Sequence, residues 1–192
     1  MVMTLPGGEV LLVPRHAARR ARALKLVLTD CDGVLTDGGV FYSADGETLK
    51  RFSMRDGMGV ERLREVGIAT AIITRERSAV VARRSQKLGL PFLFEGMADK
   101  RAGLPRILEE SGLEPGELAF IGDDVNDVGL LLEVGRAGLT AAPADAAPEA
   151  RAAVHYHCRV NGGYGAFREF AEWILSLRAG SGEPGTEAED ER

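Results

Sequence analysis

Two clusters of acids stand where chemistry can be done. Thr29-Asp30-Cys31-Asp32-Gly33 sets two carboxylates two residues apart, directly after the apolar run Leu24 to Thr29. Side chains at i and i+2 can point to one side of an extended chain. Gly122-Asp123-Asp124-Val125-Asn126-Asp127 sets three more directly after Leu118 to Ile121. If both loops lie over one sheet edge, the carboxylates converge, and like charges repel unless a cation holds them. Mg²⁺ suits such a site, because it takes hard oxygen ligands and keeps positions open for water and phosphate. No His/Cys cluster offers a softer metal its ligands. Asp30 attacking phosphorus would give an acyl phosphate and divide ester hydrolysis into two displacements. Asp32 can protonate the leaving alkoxide and then accept a proton from water. A phosphoryl dianion also needs fixed positive charge and donors. Thr74, after Ala69 to Ile73, offers a hydroxyl. Lys100, opening a helical segment, offers a cation that the helix dipole disfavours there. Neutral surface roles account for Thr74 and Lys100 equally well.

The elements that must position these groups alternate. Leu24 to Thr29, Ala69 to Ile73, Pro91 to Phe94, Leu118 to Ile121 and Ala137 to Thr140 read as strands. Asp56 to Val66, Ser78 to Leu88, Lys100 to Ser111 and Asn126 to Val134 read as helices. Gly67, Gly89, Gly112 and Gly135 each follow a helical segment, where a left-handed cap suits glycine. The alternation predicts an α/β fold, a parallel sheet with helices on both faces, whose ligands bind beyond the carboxyl ends of the strands. Val40 to Phe52 interrupts it as a hairpin around Ala44-Asp45-Gly46.

The bulk numbers bound the function. A chain of 192 residues, 45% hydrophobic and 28% charged, suits one globular domain. Its net charge of −5 argues against nucleic acid as main partner. No stretch has the apolar length of a membrane span, and the N-terminus lacks a signal-peptide pattern. Cys31 and Cys158 form neither a metal-ligand spacing nor a disulfide framework, which points to a reducing cytoplasm. Cys31 is expected to pack beneath its loop. The basic run Arg15 to Arg22 reads as a solvated segment or the polar face of a short leading helix. The chain divides into an N-terminal extension (1–23), a folded domain (24–178, hairpin 40–52) and a disordered tail (179–192).

Taken together, Asp30-x-Asp32-Gly33-Val34-Leu35-Thr36-Asp37, Ile72-Ile73-Thr74, Lys100 and Gly122-Asp123-Asp124-x-x-Asp127 resemble the four motifs of the haloacid dehalogenase (HAD) superfamily. The similarity is closer to one branch, the 3-deoxy-D-manno-octulosonate (KDO) 8-phosphate phosphatases. It extends to Arg55-Asp56-Gly57, Arg83-Arg84 and Gly162-Gly163-Tyr164-Gly165-Ala166-x-Arg168-Glu169, and covers Leu24 to Leu177. The resemblance implies a Rossmann-like fold with a small hairpin flap and no large cap. It implies Asp30 as nucleophile, Asp32 as acid and base, and Mg²⁺ held by Asp30, the Asp32 backbone carbonyl and Asp123. Thr74 and Lys100 would surround the phosphoryl group, with Asp124 and Asp127 as supporting acids. Arg55, Asp56, Gly57 and Arg84 would contact a small-molecule sugar phosphate. The resemblance also implies a homotetramer in which a neighbour closes the site, approached by the Gly162 to Gly165 stretch. A helix following a glycine turn accounts for that stretch equally well.

The sequence departs from the branch at two places. Octulosonate phosphatases usually read Thr-Gly-Arg where this chain has Thr74-Arg75-Glu76, and tend to carry arginine where it has Glu61. An acid in place of a fork donor repels a carboxylate. Glu76 and Lys87 resemble instead the pattern of phosphatases for nine-carbon ulosonates. The substrate favoured on this ground is 2-keto-3-deoxy-nononate 9-phosphate, with octulosonate 8-phosphate the alternative. Ordinary solvent-facing positions explain Glu76 and Lys87 as well. Three rivals remain: a broad sugar-phosphate or nucleotide phosphatase, a non-catalytic oligomerisation module like that attached to animal CMP-sialate synthetases, and a receiver-type domain. Retention of Asp30, Asp32 and Lys100 weighs against the module, and the inserted hairpin with Gly122-Asp123-Asp124 against the receiver.

Overall fold

The computed structural model describes residues 2–4, 10–12 and 16–180, with side chains from 16 to 180. Strands β1 (Val2–Thr4) and β2 (Val10–Leu12) pair antiparallel. Helix α1 (Ala17–Ala23) follows, then β3 (Leu26–Thr29). The flap consists of β4 (Phe41–Ser43) and β5 (Gly46–Leu49), antiparallel as expected. Next come α2 (Met54–Glu65), β6 (Ala69–Ile73), α3 (Ala79–Leu88), β7 (Phe92–Phe94) and α4 (Leu104–Ser111). The second half holds β8 (Leu118–Ile121), α5 (Val128–Gly135), β9 (Leu139–Ala142), α6 (Pro148–Ala152), β10 (Tyr156–His157) and α7 (Ala166–Ala179).

Six strands form one sheet in the order β10-β9-β8-β3-β6-β7, and every pairing in it is parallel. The chain leaves β3 towards β6 and β7, then returns to build β8, β9 and β10 on the other side. A crevice therefore opens at the carboxyl ends of β3, β6 and β8, where the order reverses. Period-two burial divides the core. Val27 and Ile72 face the layer of α1, α2 and α7, packing with Val60, Leu63, Phe167, Phe170 and Ile174. Leu26, Leu28, Ala71 and Ile73 face α4 and α5, packing with Ile107, Leu130 and Leu131. Strands buried on both faces read as unbroken apolar runs, so their existence was visible from composition alone.

Several boundaries differ from the expectation. The strand expected at Ala137 to Thr140 runs from Leu139 to Ala142, because the N–H of Gly138 still bonds Val134 C=O at 2.8 Å, closing the end of α5. Gly67, Gly89 and Gly112 take the left-handed conformation; Gly135 does not, and belongs to α5. Lys100 does not open a helix: it sits in a turn, and α4 begins at Leu104. The extension expected over 1–23 lies partly within the folded unit, since α1 buries Ala17 and Ala21 completely in the α7 layer. Of the expected disordered tail, 181–192 lies outside the described residues.

The Gly162 to Gly165 stretch packs within its own chain. A Cβ at Gly162 would stand 1.8 Å from the carbonyl oxygen of Gly33. The N–H of Gly163 donates to Val34 C=O at 2.8 Å. Only a residue without a side chain fits here, so this turn forms the rear wall of the Asp30 loop and launches α7.

Candidate active site

Asp30 follows the last residue of β3, its N–H bonded to Ile121 C=O of β8 at 3.0 Å. The Oδ1 of Asp30 accepts from the N–H of Cys31 at 2.7 Å and lies 2.7 Å from Lys100 Nζ. Beyond it the chain turns back at once: the N–H groups of Leu35 and Thr36 both donate to Cys31 C=O. Cys31 is fully buried. Burial, with Asp32 and Asp30 adding, pushes its thiol well up, so it stays protonated and inert, packed beneath the loop as expected.

Asp127, also fully buried, organises the second acidic loop. Its Oδ1 meets Lys100 Nζ at 2.6 Å, while Oδ2 accepts from the N–H groups of Asp123 and Asp124 at 3.0 and 3.2 Å. Lys100 thus bridges the two acidic loops. Burial pulls its pKa down, but Asp30 and Asp127 outweigh that and raise it, so it is charged.

Oxygens of Asp30, Asp123 and Asp127 lie within 4.8 Å of one another. At that separation each carboxylate pair repels by roughly 3 kcal/mol at an effective dielectric near 20. Lys100 balances one of the three charges. The carboxyls of Asp30 and Asp123 are consequently both pushed up: burial leads for each, then Asp127 adds for Asp30, and Asp30 with Asp127 for Asp123. Asp123 Oδ1 is buried with no hydrogen-bond partner among the described residues. An orphaned carboxylate oxygen facing a second carboxylate fits a divalent cation with oxygen ligands. Gly33 leaves room for this arrangement: a Cβ there would stand 1.9 Å from Asp123 Oδ2, and its φ is +93°. Asp127 is closer to the expected metal ligands than a supporting role requires. Both of its oxygens are engaged by protein donors, which leaves Asp30 and Asp123 with open capacity.

A cavity of about 190 Å³ opens above this cluster, lined by Asp30, Asp32, Thr74, Arg75, Glu76, Asp123, Asp124 and Asn126. Thr74, almost fully buried, directly follows β6, with its Oγ1 accepting from Glu76 N–H at 3.2 Å. Asp124 is exposed, its Oδ1 accepting from its neighbour Val125 N–H at 2.7 Å. Asp32 turns towards the flap: Lys50 Nζ lies 2.7 Å from each of its oxygens. Lys50, Arg75 and Asn126 escaped the sequence reading. Asn126 was legible inside the second acidic motif; Lys50 carried only the faint signal of a lysine at the end of a short strand.

The expected substrate contacts divide. Glu76 lines the cavity; Glu61 on α2 and Lys87 on α3 are exposed and do not. Arg55, Asp56, Gly57 and Arg84 do not line it either, and three of them build a joint between helices. Helix α7 starts at Gly165 without a side-chain cap, and Asp56 supplies one from α2, accepting from Arg168 N–H at 3.0 Å. Burial lifts the Asp56 carboxyl to about 6 against the opposing pull of the α7 N–H groups and Arg84. Arg84 donates to Ser53 C=O at 3.1 Å and lies over the Phe52 ring. Gly57 lets it approach, since a Cβ there would meet Arg84 at 3.0 Å. Arg55 is exposed beside Gly165. Within one chain, Asp56 is therefore a helix cap.

Known proteins share this sequence and fold. No family model matches the chain. The 3-deoxy-D-manno-octulosonate 8-phosphate phosphatase of Yersinia pestis is 38% identical over 157 residues, 82% of each chain. That of Haemophilus influenzae is 36% identical over 82% of this chain and 86% of its own. A crystal structure of the Moraxella catarrhalis phosphatase, in complex with magnesium, phosphate and KDO, superposes with a TM-score of 0.78. It is 36% identical and covers 85% of this chain and 92% of that one. At such identity over nearly the whole fold, the chain belongs to the 3-deoxy-D-manno-octulosonate 8-phosphate phosphatase family of HAD-type phosphoric monoester hydrolases.

Proposed function

We propose that this protein hydrolyses 3-deoxy-D-manno-octulosonate 8-phosphate to the free ulosonate and inorganic phosphate. The observation that carries the reading is Asp30: its Oδ1 is fixed by Cys31 N–H and Lys100 at the floor of a cavity walled by Thr74 and Asp123. The eight-carbon substrate is supported by the relatives' names. The nine-carbon substrate, favoured from the sequence, retains only Glu76, because Glu61 and Lys87 stand outside the cavity of the single chain.

Asp30 is the nucleophile. Held at Oδ1, it attacks phosphorus through its second oxygen; that bond forms as the ester P–O bond breaks, and Asp32 gives its proton to the departing sugar oxygen. Water then attacks the aspartyl-phosphate, Asp32 takes its proton, and the Asp30–phosphorus bond breaks to release phosphate. Lys100 and the Thr74 hydroxyl meet the charge on the equatorial oxygens. Asp30, Asp123 and the Asp32 carbonyl would hold Mg²⁺, which would supply positive charge to offset that of the phosphoryl group. A non-catalytic role has no support in a site so complete.

A homotetramer is the assembly this reading favours. Phe41, Tyr42 and Leu49 on the flap and Met54 and Met58 on α2 are exposed large side chains, of the kind that burial against a second subunit would cover. Two buried free cysteines suit a reducing cytoplasm, and no helix among the described residues is long and apolar enough to cross a membrane. The deciding experiment is steady-state kinetics on eight- and nine-carbon ulosonate phosphates beside unrelated sugar phosphates. Equal kcat/KM across the panel would end the ulosonate reading.

A further inference from the structure

The flap turns most of its large side chains outward. Phe41, Tyr42 and Leu49 are each more than 60% exposed, so apolar packing does not hold the hairpin to the body of its own chain. Charged groups do. Lys50, its side chain 1% exposed, reaches from the end of β5 to Asp32 and lies 3.3 Å from Glu47 of the same hairpin. Glu47 in turn accepts from the Ser78 hydroxyl. Ser78 caps α3 through Val81 N–H at 3.2 Å, four residues after Thr74. Arg51 anchors the flap again at Asp37.

A buried ammonium that meets both oxygens of one carboxylate at 2.7 Å does more than attach a hairpin. Apart from Lys50, the described bonds of the Asp32 carboxylate reduce to one long contact with Thr36 Oγ1 at 3.3 Å. Lys50 is thus the main described hold on the Asp32 carboxylate, whereas Asp30 is fixed from two sides. Proton transfer to a leaving oxygen demands a placed carboxyl with one oxygen free to deliver the proton, so one of the two Nζ–Oδ contacts opens when Asp32 is the donor while the other keeps it in place.

We propose that Lys50 is the positioning residue for Asp32, and that through this pair the seating of the flap governs proton transfer to the leaving group. The inference rests on the roles assigned above to Asp30 and Asp32. Lys50 touches no reacting atom; it acts through the carboxylate it holds.

Leaving-group dependence separates positioning from simple docking. An alkyl leaving group needs a proton as its bond to phosphorus breaks, and p-nitrophenolate does not. With Mg²⁺ present, the first turnover of Lys50→Ala should slow at least about 30-fold on the sugar phosphate, a part of the roughly 10²–10⁴-fold that general acids contribute. On p-nitrophenyl phosphate it should slow less than about threefold, leaving a burst of nitrophenolate before a slow steady state. Lys50→Arg should recover part of the sugar-phosphate rate. Lys50→Gln, closer in shape, provides a second variant should the alanine protein melt early in circular dichroism, with the same contrast between esters. Equal slowing of both esters, or none, in a folded variant would overturn the proposal. Turnover by Asp30→Asn would instead overturn the reading on which it rests.

Discussion

Lys100 Nζ stands 2.7 Å from Asp30 Oδ1, with neither side chain more than 8% exposed. A cation so deeply placed persists because carboxylates surround it; its desolvation alone would be prohibitive.

Replacing Lys100 by Met should therefore damage stability and turnover together. Removing one partner of a buried charge cluster costs about 3–5 kcal/mol, and losing the cation that holds Asp30 Oδ1 should cost at least about 100-fold in kcat. Urea denaturation and steady-state assays read the two effects. Wild-type turnover in a folded variant would take Lys100 out of the phosphoryl site.

Gly33→Ala is the sharpest probe of the metal pocket. The new methyl group would stand 1.9 Å from Asp123 Oδ2 at a φ of +93°, so the Asp123 carboxylate must move. The expected result is a folded protein whose Mg²⁺ affinity falls about tenfold or more, equivalent to about 1.4 kcal/mol, as measured by isothermal titration calorimetry. Unchanged affinity would show that Asp123 does not hold the ion.

The cap that Asp56 gives α7 predicts a pH signature. Its carboxyl is raised from 3.8 to about 6 in the folded protein, so between those values the folded state holds a proton that the unfolded state has released. The stabilisation is complete below about pH 4 and is lost as pH rises through about 6, by about 3 kcal/mol in all. Asp56→Asn keeps an acceptor for the Arg168 N–H but cannot ionise. Its stability relative to wild type should climb by up to that amount from pH 4 to 7 in denaturation curves, and parallel curves would refute the assignment.

The α/β fold was legible because strands buried on both faces and helix-ending glycines leave local marks. So were Asp30 and Thr74, which follow strands directly, and Asp32 and Asp123, which stand within three residues of a strand end. Asp56 and Lys50 were not legible in their true surroundings. The first caps a helix 112 residues away, and the second reaches a carboxylate 18 residues back; neither distance has a local signature. Glu61 and Lys87 do not line the cavity of the single chain, and spacing along helices could not say which face meets it.

Glu76 is the member of that trio that does meet it. Glu76→Arg should raise kcat/KM for the eight-carbon ulosonate phosphate relative to the nine-carbon one, since a guanidinium pairs with a carboxylate that a glutamate repels. A constant ratio in competition assays would exclude this position from substrate choice.

The outward-facing flap residues predict the assembly state. Leu49→Asp with Tyr42→Ser should convert a tetramer to smaller species in analytical ultracentrifugation. A species distribution unchanged by both substitutions would move the subunit contact elsewhere.

The glycine turn at 162–163 forms the rear wall of the Asp30 loop, and α7 is capped from α2 across more than a hundred residues. On the ribosome, the strand, both acids and the flap emerge long before that wall exists. Contacts of such long sequence separation form late. The nascent chain would therefore carry Asp30 without a finished loop to aim it, and the proposed hydrolytic competence would begin only when the last helix docks.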